Sequence, residues 1–477
     1  MSSDRRKFLR NITLGTGALV SGMPAWANEN AADGTDAGFM PERASGFNMC
    51  GYAAPKIDKV RIGFVGLGMR GPGAVERMSF IEGVEIAALC DKFPDRVASA
   101  QKILEKAGLP KAKEYTGEDG WKAMVESDLD LIYITTPWHL HTPMALYAMN
   151  NGKHAATEVP AALTLDECWQ LVETSEKTKK HCMMLENCCY DFFELLTLNM
   201  ARNGLFGEIL HTEGAYIHDL LSLNFSKTGY ADMWRLRMNG KHNGNLYPTH
   251  GLGPIAQCMN INRGDQMDYL VSIQTADFQM KDKAKELAAT DSFFNEFTDL
   301  NYRGNMNTTL IKTIKGKSIM VQHDVTSPRP YSRIHLVSGT KGVAQKWPSP
   351  GKIAFGHSWV KPEEMKELEE KYTPPIVKHI GEIAKSVGGH GGMDFIMDWR
   401  LIDCLRNGLP LDQDVYDAAL WSCIIPLSEK SVNKRGRSMD IPDFTRGNWK
   451  NNKPVSLSLE GGATTTVRKT ANSGSQL

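Results

Sequence analysis

Gly66, Gly68, Gly71 and Asp91 are residues whose types and spacing suggest chemistry. The first three form a Gly-x-Gly-x-x-Gly run, Gly66-Leu67-Gly68-Met69-Arg70-Gly71, and Asp91 follows 20 positions after it. Glycines so placed permit a tight turn, close approach of backbone to a pyrophosphate, and close helix–strand contact. The phosphate charge would sit on the unpaired N–H groups at a helix N-terminus. Asp91 would accept hydrogen bonds from both adenosine ribose hydroxyls and repel a 2′-phosphate, which favours NAD over NADP. The plainer alternative is a glycine-rich turn with a helix-capping Asp. The dinucleotide reading is selected by the whole order of strand, turn, helix, strand and Asp.

A second candidate is the loop Thr135-Thr136-Pro137-Trp138-His139-Leu140-His141, which closes a continuous apolar stretch. In open α/β sheets ligands bind beyond the carboxyl ends of strands, so this loop should face the cofactor. His139 and His141 suggest a metal pair, but no third ligand has suitable spacing and no metal is expected. Arg235, Tyr216 and His250 each have a bland reading from the residues alone: a surface charge, a packed strand aromatic and a histidine at a helix start.

The elements that must position these residues follow from hydrophobic patterning. Strands are expected at Val60 to Val65, Val84 to Leu89, Leu129 to Thr136, Lys153 to Thr157 and His181 to Asn187. Helices are expected between them, at Pro72 to Phe80, Phe93 to Ala107, Trp121 to Glu126, His141 to Asn150 and Leu163 to Lys179. From Gly207 the pattern changes to strands without intervening helices: Glu208 to His218, Tyr269 to Met280, Thr308 to Ile314, Lys317 to His323 and Ile334 to Ser338. Gly240 to Pro254 reads as a Gly/Pro-rich excursion too polar for core. Met393 to Asn407 and Val415 to Asn433 read as helices, and Val455 to Leu459 as a short strand in an otherwise poorly ordered tail.

The predicted fold class is therefore α/β, with an N-terminal Rossmann dinucleotide-binding domain and a C-terminal α+β domain on a mostly antiparallel sheet. The expected division is a leader over 1–27, a linker or arm over 28–58 and the Rossmann domain over 59–187. The α+β domain follows over 188–447, with the helices of 393–433 candidates to pack back on the Rossmann domain, and a tail over 448–477 ends the chain.

The chain has 477 residues, enough for two full-sized cores, and its 55 basic and 55 acidic side chains balance. Nothing in that balance argues for nucleic acid or an anionic membrane as partner. The nine cysteines include no zinc-type Cys-x-x-Cys pair, and Cys188-Cys189 reads as buried thiols. The N-terminus carries Arg5-Arg6-Lys7-Phe8-Leu9, a mild apolar run from Ile12 to Met23, and Ala25-Trp26-Ala27 as a cleavage site. This predicts twin-arginine export to the periplasm or beyond. That route carries folded proteins, and so suits a chain that acquires a dinucleotide and folds with free thiols in the cytosol. The apolar run is too short to span a membrane.

From Lys59 to Asn433 the sequence resembles the glucose–fructose oxidoreductase/inositol dehydrogenase superfamily, on the glycine turn, Thr135-Thr136-Pro137-Trp138-His139 and the Glu-x-Pro triplet. Those dehydrogenases carry Glu-Lys-Pro, with the Lys helping to move a hydroxyl proton. Here the triplet is Glu158-Val159-Pro160, which puts ordinary alcohol oxidation in doubt. That variant occurs with Glu186-Asn-Cys-Cys-Tyr190, Asn245-Leu-Tyr-Pro-Thr-His-Gly-Leu-Gly253 and Gly389-His-Gly-Gly-Met-Asp394. Together with Gly66 to Gly71 and Trp138 to His141, they resemble glycoside hydrolase family 109, the NAD-dependent α-N-acetylgalactosaminidases.

The resemblance implies NAD contacts from the turn with Met69 and Arg70, and from Asp91, Trp138, His139, Leu140, His141, Glu158, Val159 and Asn187. It implies substrate contacts from Tyr216, Arg235, Tyr247, Pro248, Thr249, His250 and Tyr331. It also implies a tightly bound NAD recycled in each turnover: oxidation at C3 of the sugar, removal of the C2 proton, elimination at C1, hydration and reduction. His250 is then the expected base, because an imidazole titrates near ~6.5 and a phenol near ~10. Tyr247 and Tyr331 are expected to assist as catalytic hydroxyls. The implied partner is a glycan ending in α-N-acetylgalactosamine, and homo-oligomers through the C-terminal sheet are expected. The alternative reading is a periplasmic NAD(P)-dependent sugar dehydrogenase of the parent superfamily.

Overall fold

The structure, a computed structural model, describes residues 46–468. The leader over 1–27, its twin arginines, most of the 28–58 arm and the end of the tail lie outside the described residues.

Six strands form the first sheet: β1 (Val60–Val65), β2 (Val84–Asp91), β3 (Lys113–Thr116), β4 (Leu131–Ile134), β5 (His154–Thr157) and β6 (Cys182–Met184). Their order is β3-β2-β1-β4-β5-β6, every pairing is parallel, and this is the doubly wound dinucleotide-binding arrangement. Helices cover both faces, so β1, β4, β5 and β6 are almost wholly buried, and β4 (Leu-Ile-Tyr-Ile) and β6 (Cys-Met-Met) read as unbroken apolar runs. The strand order reverses between β1 and β4. The glycine turn after β1 and the Thr135–His141 loop after β4 therefore flank one crevice.

The second sheet has eight strands: β7 (Ile209–Ile217), β8 (Met267–Gln274), β9 (Asn307–Thr313), β10 (Ser318–Asp324), β11 (Leu336–Gly339), β12 (Val343–Gln345), β13 (Lys352–Ala354) and β14 (Met439–Asp440). Their order is β13-β12-β11-β7-β10-β9-β8-β14, and only the central β7–β10 pair is parallel. Both carboxyl ends of that pair point the same way, which places Tyr216, His218 and His323 together.

Several sequence expectations need correction. Gly240 to Pro254 is not a surface excursion: Gly244 to Thr249 are buried, and the helix Thr249–Cys258 packs on β7. Its polar look came from glycines that closeness demands. A Cβ on Gly251 would lie 2.2 Å from the Ala215 amide nitrogen, and one on Gly214 2.3 Å from the Gly251 carbonyl oxygen. The strand expected to reach Met280 stops at Gln274, and Met280–Ala288 is a helix. The strand expected from Ile334 begins at Leu336, because Ile334 and His335 have positive φ. No strand forms over Val455 to Leu459. Instead the tail is ordered by Asp403, which accepts from the Ala463 and Thr465 amides, and by Val467, which bridges to Ile81.

Of the helices Met393–Asn407 and Val415–Asn433, the second joins the two sheets. The first packs on β1 and on the helix Gly71–Ser79. The second lies between the helix Leu165–Thr178 with β6 on one side and β8 on the other. It is apolar almost all round, as a helix buried between two layers must be. Asp414 caps it, accepting from the Tyr416 and Asp417 amides, and Arg263 pairs with both Asp414 and Asp417. All nine cysteines fall in the described residues and are unpaired. No helix among the described residues is long and apolar enough to cross a membrane.

Candidate functional site

One cavity of about 620 Å³ runs from the glycine turn and Asp91 to the ends of β7 and the helix Thr249–Cys258. At its first end the residues fit a dinucleotide. Gly66 has φ +90°, and a Cβ there would lie 2.7 Å from the Thr135 carbonyl carbon. A Cβ on Gly71 would lie 2.2 Å from the Gly66 carbonyl oxygen, so only glycine lets the helix start so close to the strand. That helix has no acidic residue in its first turn, which leaves its positive end for phosphate. Asp91 is buried and shaped by the backbone: Oδ2 accepts from the Leu67 amide at 2.7 Å and Oδ1 from the Phe93 amide at 2.9 Å. Lys92 and Arg96, which sequence reasoning missed, stand beside it, with Arg96 over the Phe93 ring.

In the middle of the cavity, Arg70 donates to Glu158 at 2.9 Å and reaches Asp394 at 3.3 Å. Asp394 also takes Asn187 at 2.5 Å and His390 at 2.9 Å. The hydrogen bond with His390 and the charges of Arg70 and Arg77 outweigh the effect of burial and hold the Asp394 carboxyl far below the usual range. Gly68, Met69, Trp138, His139, Leu140, His141, Val159 and Asn187 line the same cavity. His141 is no metal ligand here, since its ring nitrogens each face a carbonyl oxygen at 2.7 Å, of Pro160 and Thr136.

At the far end, Arg235 is buried in a box of rings. Its guanidinium carbon lies 4.9 Å from the Tyr247 centroid, 5.2 Å from Trp138, 5.4 Å from Tyr230 and 5.9 Å from Tyr216. Nη1 donates to the Tyr230 hydroxyl at 2.8 Å, and the buried Nη2 has no hydrogen-bond partner within the protein. A buried cation with a spare donor beside a cavity is suited to an acceptor oxygen of a ligand.

His250 sits between the Tyr216 and Tyr247 rings, at 5.4 and 4.9 Å. Its Nδ1 lies 2.8 and 3.0 Å from the two oxygens of Glu186, a fully buried carboxylate. A carboxylate only accepts, so Nδ1 carries a proton, and in the neutral ring Nε2 is the nitrogen that keeps a lone pair. Burial alone would raise the Glu186 pKa; pairing with His250 overcomes that and lowers it. Burial pushes the phenols of Tyr216, Tyr247 and Tyr331 up, although Arg235 opposes this at Tyr216 and Tyr247. They are therefore neutral donors near pH 7, and His250 is the group equipped to take a proton.

Pro248 and Thr249 are buried behind His250 and start its helix without lining the cavity. Tyr331 stands one layer back as well, packed on His218 with centroids 5.0 Å apart and on Tyr216 at 6.2 Å. The lining also includes His218, Tyr230, Trp234 and His390. Sequence reasoning assigned them no role, although His390 lies in the quoted Gly389-His-Gly-Gly run and aromatic residues are dense from Tyr216 to Trp234.

Fold and cavity define a dinucleotide-binding protein of the Rossmann oxidoreductase architecture. Residues 60–186 match the model described as "Oxidoreductase family, NAD-binding Rossmann fold", and residues 190–451 match "Glycosyl hydrolase 109, C-terminal domain". An alpha-N-acetylgalactosaminidase of Bacteroides fragilis is 53% identical over 410 residues, covering 84% of this chain and 96% of that protein. A glycosyl hydrolase family 109 protein of Shewanella pealeana is 46% identical over 470 residues, covering 96% and 99%. Among solved structures, a levoglucosan dehydrogenase in complex with NADH superposes with a TM-score of 0.59 at 17% identity, covering 81% of this chain and 100% of that one. The chain belongs to glycosyl hydrolase family 109 and is built on an NAD-binding domain.

Proposed function

We propose that this protein removes terminal α-N-acetylgalactosamine from glycans without net redox change. The observation that carries this reading is a His250–Glu186 pair at the end of a cavity that begins at a dinucleotide turn. The carboxylates lining that cavity are engaged. Glu158 is held by Arg70, and Lys92 lies 3.6 Å from Glu118 and 3.3 Å from Asp232. The two-carboxylate scheme of most glycosidases needs an acid and a base or nucleophile free to act across the scissile bond, whereas the carboxylates lining this cavity each have a cationic or backbone partner. When bound, NAD supplies reversible hydride removal and return at C3 of the sugar, the change that makes the C2 proton acidic. His250 takes that proton at Nε2. Arg235 holds the oxygen on which charge gathers, and the neutral Tyr216 and Tyr247 hydroxyls donate to sugar oxygens or the leaving group. Val159, where dehydrogenases of the fold carry Lys, offers no amine to shuttle a hydroxyl proton.

Purified protein should hydrolyse p-nitrophenyl α-N-acetylgalactosaminide without added NAD and without a net change in nicotinamide absorbance. Denaturation should release NAD and not NADP. Stoichiometric NADH formation without glycoside cleavage would support a dehydrogenase instead, and neither activity would indicate a sugar-binding protein.

Two further parts of the reading concern place and assembly. The twin arginines support export to the periplasm; Arg5→Lys with Arg6→Lys should strand the protein in the cytoplasm, and mature periplasmic protein in that variant would refute this route. The outer face of the second sheet exposes Leu210, Ile273 and Leu310, each at least half accessible, which supports a homo-oligomer through that face. Light scattering of the wild type and of Leu310→Lys tests it.

A further inference from the structure

We propose that Glu186 is the positioning residue of the catalytic base: it fixes the tautomer of His250 and sets its proton affinity in the turnover. The inference rests on the reading of His250 as base.

The geometry is specific. Glu186 follows β6 in the Rossmann domain, whereas His250 starts a helix of the other domain, 64 residues later. Both carboxylate oxygens address the same ring nitrogen, and Oε1 also accepts from the Cys188 amide at 3.1 Å. The Glu186 main chain is fixed too, its carbonyl accepting from Gln413 Nε2 at 3.0 Å. A Cβ on Gly253, one turn along the helix, would lie 2.9 Å from Glu186 Cγ, so the helix bearing His250 rests directly on this side chain. The pair thus holds the ring by one nitrogen and presents the other to the cavity. When Nε2 gains a proton, the imidazolium forms against a carboxylate already in place, so no group must reorganise.

The other titratable and charged groups around the pair do not replace this role. Tyr216 and Tyr247 contact the ring with neutral phenols. Arg235, beyond those two rings, opposes a second positive charge, and burial with Arg235 disfavours protonation of His218, so it adds none. Cys188 Sγ lies within 4.8 Å of the Glu186 and His250 ligand atoms, but burial pushes its thiol up and it contributes no negative charge. Among these groups Glu186 alone is an anion facing His250.

The test compares Glu186→Gln, Glu186→Asp and His250→Ala in the NAD-loaded enzyme, with p-nitrophenyl α-N-acetylgalactosaminide as substrate. The readouts are kcat, KM, the pH profile of kcat/KM, C2 proton exchange in deuterated water, NAD content and ¹⁵N spectra of histidine-labelled protein. Glu186→Gln should lower kcat by about 10²–10⁴-fold, the scale known for orienting carboxylates, with KM and NAD content little changed. Its acidic limb should move to lower pH, because an amide no longer stabilises the imidazolium and the base stays neutral further down. Glu186→Asp keeps the charge and should keep the wild-type limb at reduced kcat. The wild-type His250 spectrum should show the proton on Nδ1.

Wild-type kcat and an unmoved limb in Glu186→Gln, beside a dead His250→Ala, would overturn the inference alone. So would a Glu186→Asp profile identical to that of Glu186→Gln. If His250→Ala keeps C2 proton exchange, the base assignment itself is wrong.

Discussion

Arg235→Met should separate function from stability in this protein. The guanidinium is buried, and among the described residues no carboxylate pairs with it. Burying an unpaired cation costs several kcal/mol. Four rings within 4.9–5.9 Å return about 0.5–2 kcal/mol each, so the two contributions nearly cancel. Methionine fills much of the same volume without the charge. The melting temperature should therefore change by only a few °C, the response to about 1–2 kcal/mol in a domain of ordinary size. Catalysis should respond differently. A charge-assisted hydrogen bond to a substrate oxygen is worth about 1.5–3 kcal/mol, so kcat/KM should fall about 10–150-fold. Steady-state hydrolysis and differential scanning calorimetry of the same preparation measure both. A drop in melting temperature above about 10 °C, or an unchanged kcat/KM, would show that the cation holds the aromatic box together rather than the ligand.

Gly251→Ala should destabilise by about 2 kcal/mol or more and lower kcat, because its Cβ would meet Ala215 and Gly214 backbone at 2.2–2.9 Å and push the His250 helix off β7. Gly356→Ala, with no atom within 4 Å of the added Cβ, is the neutral control in thermal melts. Glu194 is buried between Arg333 at 2.6 Å and Lys346 at 3.0 Å, and these cations outweigh burial and depress its pKa. Its stabilisation is therefore complete above the unfolded value near ~4.3 and is lost as pH falls from there toward the depressed folded value. Glu194→Gln should destabilise by about 3–5 kcal/mol at pH 7 and flatten the acid limb of the stability profile measured by urea titration.

The dinucleotide end was legible because its constraints are local. Gly66, Gly71 and Asp91 act through a turn whose geometry depends on spacing, and buried parallel strands announce themselves as apolar runs. The catalytic end was less so. Glu186 meets His250 only after two domains dock, and no pattern around either residue encodes that contact. Tyr331 carries the right chemistry but is held a layer back, where Arg333, anchored by Asp191 and Glu194, donates to its hydroxyl at 3.3 Å. The buried 244–249 stretch looked like a loop because close packing there uses glycine and proline where cores usually show aliphatics. The strands β12, β13 and β14 are two or three residues long, too short for alternation to register.

On the proposed function, the C2–H bond of the sugar breaks through His250 and the cofactor's redox state is restored in each turnover. Hydrolysis of an α-N-acetylgalactosaminide in deuterated water, followed by NMR and mass analysis of the released sugar, tests it most directly. The released sugar should carry one deuterium at C2 and none at C3, with no net NADH, and His250→Ala should lose the C2 label. Released N-acetylgalactosamine carrying hydrogen at C2, at full turnover, would mean direct displacement at C1 and would contradict the account.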